Sequence, residues 1–165
     1  MESRALNQMI LKYGVYTFVI VLCFSIMLPL IGASIGLSQN LMMVVLAAEI
    51  FFCCKEYKEK SGEGLDFKHA FLMGMKVSLV AGLINSIFIL ILILGIGGAA
   101  IEDAMYKSKA LIYKGGDDAM FKQIVDLVSN PFVISFFTII LYLLIGLFLS
   151  ILIALFVKEQ HSDRG

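Results

Sequence analysis

Charge is scarce in this chain: 16% of its 165 residues are Asp, Glu, Lys or Arg, against about 25% in a soluble domain. That shortage excludes water as the main solvent. Neither sign dominates, since thirteen Lys plus Arg balance thirteen Asp plus Glu, so no global positive field exists to gather nucleic acid. Cysteine is limited to Cys23, Cys53 and Cys54. All three lie in or at the end of apolar runs, and an odd number there argues against a secreted disulfide framework.

Histidine is rarer still, with His69 and His161 alone, and neither falls in metal-ligand spacing with cysteines or carboxylates. Gly95, Gly97 and Ala100 spell G-x-G-x-x-A ahead of Asp117 and Asp118. The dinucleotide fingerprint, however, needs a short strand before it and a βαβ unit around it, and here it ends an apolar run far too long for a strand. Adjacent Cys53 and Cys54 point in different directions on a helix and read as small apolar filler. No nucleophile elbow or phosphate loop is present, so neither a metal nor a cofactor is expected, and the reading is that of a protein that is not an enzyme.

Apolar sequence is what the chain has in abundance: 60% of residues are hydrophobic and the mean hydropathy is +0.94. A crossing takes about 20 apolar residues, and the runs predict an all-α membrane protein, a single domain over 1–165 with four transmembrane helices at about 13–37, 38–54, 70–100 and 131–157. The run beginning at Val15 is longer than the apolar stretch of a cleavable signal peptide and reads as a retained first helix. Pro29 is expected to bend that helix by removing a donor and crowding the carbonyl of Ser25. Ser38, Gln39 and Asn40 read as a polar turn. Ser129, Asn130 and Pro131 signal the start of the last helix, with proline at a first-turn position.

The second helix has the weakest hydropathy signal of the four, because its apolar run, Leu41 to Cys54, is short and contains Glu49. The basic residues arbitrate, since cytoplasmic loops are enriched in Lys and Arg. If the segment crosses, Arg4, Lys12, Lys55, Lys58, Lys60, Lys68, Lys76, Lys158 and Arg164 lie inside, nine against four at Lys107, Lys109, Lys114 and Lys122. If it does not cross, the division is six against seven and the bias disappears. Four crossings with both termini cytoplasmic, in a cell inner membrane, is therefore the expected arrangement.

Segment 101–130 then lies outside, between helices 3 and 4. Met120, Ile124, Leu127 and Val128 share one helical face, and Asp118, Lys122 and Asp126 repeat on the other. This is an amphipathic pattern suited to the membrane–water interface, or to docking a partner.

Close packing through small residues drives association of helices in lipid. Helix 3 carries Gly74, Ser78, Gly82 and Ser86 at four-residue spacing, and helix 4 carries Gly146, Ser150 and Ala154. The expected contact is helix 3 on helix 4, with Gly82 and Ser86 near Gly146; a homodimer through the same stripe, or through Gly32 and Gly36, is the competing use.

Ionisable and polar groups at membrane depth are functional hypotheses by default. Glu49 lies about 9 Å before Lys55 at 1.5 Å per residue, and Lys76 enters helix 3 at a similar depth, so the two are candidates for an intramembrane pair. Lys76 reaching the phosphates by itself is the alternative. Asn85, at mid-depth, is a candidate interhelical hydrogen-bonding residue.

The stretch EIFFCCKEYKEKSGEGLDFKHAFLMGMKVSLVAGLI, the ending SNPFVISFFTIILYLLIGLFLSILIALFVKE and the starting LKYG together resemble a bacterial inner-membrane family known as domain of unknown function 4199. The resemblance implies four helices and a cytoplasmic loop between helices 2 and 3, and it implies no activity. In that family the loop is commonly rich in Tyr-Arg and followed by Ile-Ser-Phe-Gly. Here Tyr57-Lys58 and Leu65-Asp66-Phe67-Lys68 stand in, a departure that weakens the claim of a fixed basic ligand site drawn from that loop pattern. The functional expectation is a small bundle, in contact with the lipid bilayer, that scaffolds or regulates a membrane complex through a protein partner or a second copy. The alternative is a transporter or channel component that uses Glu49 as a proton or cation site.

Overall fold

The computed structural model describes residues 3–30, 35–61, 65–96, 123, 125, 127 and 130–159. These form four long helices and, among the described residues, no strand: α1 (Ser3–Leu30), α2 (Ile35–Ser61), α3 (Phe67–Ile96) and α4 (Pro131–Glu159). Three of them, over Arg4–Leu28, Phe67–Gly95 and Pro131–Val157, are long and apolar enough to cross a membrane.

The helix ends differ from the hydropathy boundaries for local reasons. The first helix begins at Ser3 rather than near 13 because Leu6, Met9 and Ile10 follow the i, i+3, i+4 spacing of a buried face. Met9 and Ile10 are indeed buried. Ser38, Gln39 and Asn40 are helical rather than a turn. The second helix runs on past Cys54 to Ser61 because its charged end forms ion pairs one turn apart, Glu56 with Lys60 and Lys55 with Glu59.

The third helix is capped by Asp66, whose side chain accepts the His69 amide N–H at 3.1 Å while its carbonyl accepts that of Ala70 at 3.1 Å. The fourth begins where Asn130 Oδ1 accepts the amides of Phe132 and Val133 at 3.0 and 3.4 Å, with Pro131 taking a position that needs no donor.

The chain divides into two compact units. The first comprises residues 1–84 and 141–165 and holds the main core: Met9, Ile10 and Tyr13 of α1, Leu46, Ile50, Cys53 and Cys54 of α2, Ala70, Met73, Val77 and Ala81 of α3, and Tyr142, Ile153, Ala154 and Val157 of α4. Within it α1 and α2 form an antiparallel hairpin, the early turns of α1 lying beside the late turns of α2. The second unit, 85–140, contains the buried residues Ser86, Ile93, Val125 and Ser135. The amphipathic segment expected over 101–130 falls outside the described residues except at Gln123, Val125, Leu127 and Asn130. Of these, Val125 is buried and Leu127 exposed.

Candidate functional site

The polar centre of the first unit is Glu56, just past the apolar part of α2. Lys12 of α1 donates to Glu56 Oε2 at 2.8 Å and the Tyr13 hydroxyl donates to the same oxygen at 2.6 Å. Lys60, one turn along α2, donates to Oε1 at 2.6 Å. The carboxylate is 18% exposed, and the hydrogen bonds from Lys12, Lys60 and Tyr13, in that order, hold its pKa down at about 2. It is an anion throughout the neutral range, with both oxygens engaged.

The Lys12 ammonium also lies over two tyrosine rings, 4.9 Å from the centre of Tyr13 and 5.9 Å from that of Tyr16, and these rings meet edge to face. Around the ion-paired group opens a groove of about 250 Å³ lined by Ala5, Gln8, Met9, Lys12, Glu56 and Lys60. One local signal for this arrangement lies in the sequence, the four-residue spacing of Glu56 and Lys60. Lys12 and Glu56 are 44 residues apart, and only the hairpin joins them.

Glu49 faces inward on α2 at 8% exposed, between the buried Leu46, Ile50 and Cys53. Lys76 does not meet it: that side chain is exposed, and among the described residues no ion pair joins the two. The expected pairing assumed that the Gly74 face of α3 turns to α4 alone, leaving the opposite side for α2. Gly74 instead faces both Ser150 of α4 and Ile50 of α2, so Lys76, about 200° around the helix, points away from both. Asn85 is half-buried and belongs to the second unit.

The small residues make direct contact. A methyl group added at Gly74 would collide with Ser150, and one added at Gly146 with Ser78. The seam is thus one turn away from the expected register, in which Gly82 and Ser86 lay near Gly146. Serine opposite glycine explains the difference, because the serine fills the notch that the glycine leaves, whereas glycine against glycine would leave a void. Gly82, Ser86 and Ala154 are buried as well. The Ser78 hydroxyl donates a hydrogen bond to the Gly74 carbonyl at 2.9 Å, while the Ser150 and Tyr142 hydroxyls are buried without a partner among the described residues. On α1, Gly14 lies against Val80 of α3.

Among the described residues no three His, Cys, Asp or Glu side chains gather as metal ligands would. Cys53 and Cys54 are buried free thiols, with Cys54 Sγ 3.9 Å from the Ala70 carbonyl. His69 is engaged by Asp66 beside the α3 cap, a contact that lowers the Asp66 pKa. No curated protein and no solved structure matches the chain. A family model does match, over residues 12–159, and it takes in α1 from Lys12 onward, the other three helices, the Glu56 centre and the glycine–serine seam. The chain belongs to the family described as protein of unknown function (DUF4199).

Proposed function

We propose that this protein is a four-crossing bundle of a cell inner membrane, with both termini cytoplasmic, that scaffolds or regulates a membrane complex and carries out no reaction of its own. The fourth crossing is α2. Its support is the hairpin: Lys12 and Tyr13 in the first half of α1 bind Glu56 near the end of α2, so α2 retraces α1 from Leu30 back to Lys12, and if that stretch of α1 crosses, α2 crosses beside it. The Lys and Arg distribution favours the same orientation. Reporter fusions at Gly62 and Gly116 are expected on opposite sides of the membrane, and finding both on one side would end the four-crossing reading.

The observation that carries the scaffolding role is the filled seam, with Ser78 on Gly146 and Ser150 on Gly74. A bundle closed this tightly at its centre works through its outward faces, where lipid or another protein meets α3 and α4. Crosslinking with mass spectrometry in native membranes is expected to return a reproducible protein partner. Self-crosslinks alone would move weight to the transport reading, in which four helices need a second copy to enclose a path.

Transport is the second reading, and Glu49 favours it: a carboxyl 8% exposed, with no ion pair or side-chain hydrogen bond among the described residues. Intramembrane carboxyls commonly mark proton or cation paths. Under that reading Glu49→Gln keeps the fold and abolishes a pH-driven flux in proteoliposomes. Under the scaffolding reading neither protein shows a flux.

A further inference from the structure

We infer that the groove between the early turns of α1 and the last turns of α2 is a binding site for the phosphate of an anionic lipid headgroup, held by Lys12, Lys60 and Gln8. Two lysines converging on one groove would ordinarily repel each other; Glu56 holds them together by giving each a different oxygen. An ammonium has three N–H donors, so after one bond to Glu56 each lysine keeps two for a ligand. With one carboxylate between two ammonium groups the groove retains a single positive charge. The carboxylate itself offers little to a ligand, since Oε2 already accepts from Lys12 and Tyr13.

The remaining lining suits the rest of a headgroup. Gln8 contributes an amide, and Ala5 and Met9 give an apolar flank on α1. At about 250 Å³ the groove is smaller than the roughly 300–1,000 Å³ of sites that enclose drug-sized ligands, and it suits a phosphate with a short polar substituent. Its depth points to lipid rather than solute, because Tyr13 and Tyr16 flank Lys12 and tyrosine collects at the headgroup level. The near-neutral charge of the whole chain does not weigh against the site, as the positive charge is local. The lipid source rests on the proposed crossing of α1 and α2, and the reporter fusions test that crossing separately.

The test uses the full-length protein in nanodiscs or mild detergent, with retained lipid measured by native mass spectrometry from equimolar phosphatidylglycerol and phosphatidylcholine. Wild-type protein is expected to retain one phosphatidylglycerol in clear preference. Lys60→Gln is expected to reduce that preference about tenfold, the value of one charge-assisted hydrogen bond. This variant leaves the α1–α2 tie through Lys12 and Tyr13 in place, so it tests the site without opening the hairpin. Lys76→Gln, an exposed lysine outside the groove, is expected to change nothing.

Equal retention of the two lipids by wild type would overturn the inference, as would an equal loss in Lys76→Gln, which would reduce the effect to bulk attraction. Millimolar inorganic phosphate or glycerol 3-phosphate separates the sources. Displacement of the lipid by either, with the same dependence on Lys60, would reassign the site to a free anion and overturn the lipid assignment. Retention in their presence supports it.

Discussion

Two of the helix contacts in the first unit are built on opposite physics. Where α1 meets α2, beyond the apolar run of α2, one carboxylate collects three donors and the association is polar and directional. Where α3 meets α4, glycines and serines interlock and the association rests on close packing. At the polar contact, water and ions compete for the two lysines, so the bonds set geometry more than they add stability. In the apolar seam nothing competes with packing, and a misplaced methyl group has nowhere to go. Position relative to water thus decides which residue type can hold two helices together.

The seam should be the more easily broken contact. Gly146→Leu drives a side chain into Ser78 and is expected to cost about 1–3 kcal/mol or more through overpacking, read as a fall in thermal stability in detergent. A swap, Gly146→Ser with Ser78→Gly, exchanges notch and filler and should recover much of the loss. A double variant as unstable as Gly146→Leu would show that the seam is not held by shape.

A smaller effect of opposite sign is expected one turn away. The Ser150 hydroxyl is buried without a partner among the described residues, so Ser150→Ala should be neutral or stabilise by up to about 1 kcal/mol, the penalty for an unmade hydrogen bond being removed. A marked loss in chemical denaturation would mean that the hydroxyl has a partner and that the seam is more polar than its geometry indicates.

At the polar contact the effect should depend on pH. The Glu56 pKa is about 2 in the folded protein, below its ordinary 4.5. Its contribution is therefore fully present above about 4.5 and is lost as pH falls toward 2. Glu56→Gln should lower stability at pH 7 by no more than about 1 kcal/mol, since the lysines are partly in solvent, and should flatten the acid limb of a stability profile. High salt should weaken this contact and leave the seam unchanged. The least effect is expected at the exposed Lys55–Glu59 pair, 4.0 Å apart, where Lys55→Gln should leave the melting temperature nearly unchanged.

Several elements were legible in residues alone. The apolar lengths of α1, α3 and α4 mark them as long and apolar enough to cross a membrane, since a bilayer demands a minimum run, and Asn130-Pro131 carries in its own chemistry the reason that α4 starts there. The small-residue spacing showed that α3 and α4 have faces suited to close approach. It did not show the register, because a four-residue repeat fits its partner equally well one turn away, and only the serine-into-glycine fit chooses.

Helix ends set by charge were less legible. The early turns of α1 and the late turns of α2 lie beyond the helix bounds expected from the apolar runs yet are helical, since Met9 and Ile10 are held by the core and Glu56 by its lysines. Lys76 and Glu49 match in depth, but depth leaves rotation about the helix axis open. That rotation is decided by Gly74, which faces α2 and α4 together.

By itself the sequence determined the solvent: too few charges and too many apolar residues for water, in runs long enough to cross a bilayer. Tertiary structure alone decided which polar groups meet. It turned Lys76 away from Glu49 and brought Lys12 across 44 residues to Glu56, because the partners of a side chain depend on how helices rotate and pair, and no local window of sequence contains that information.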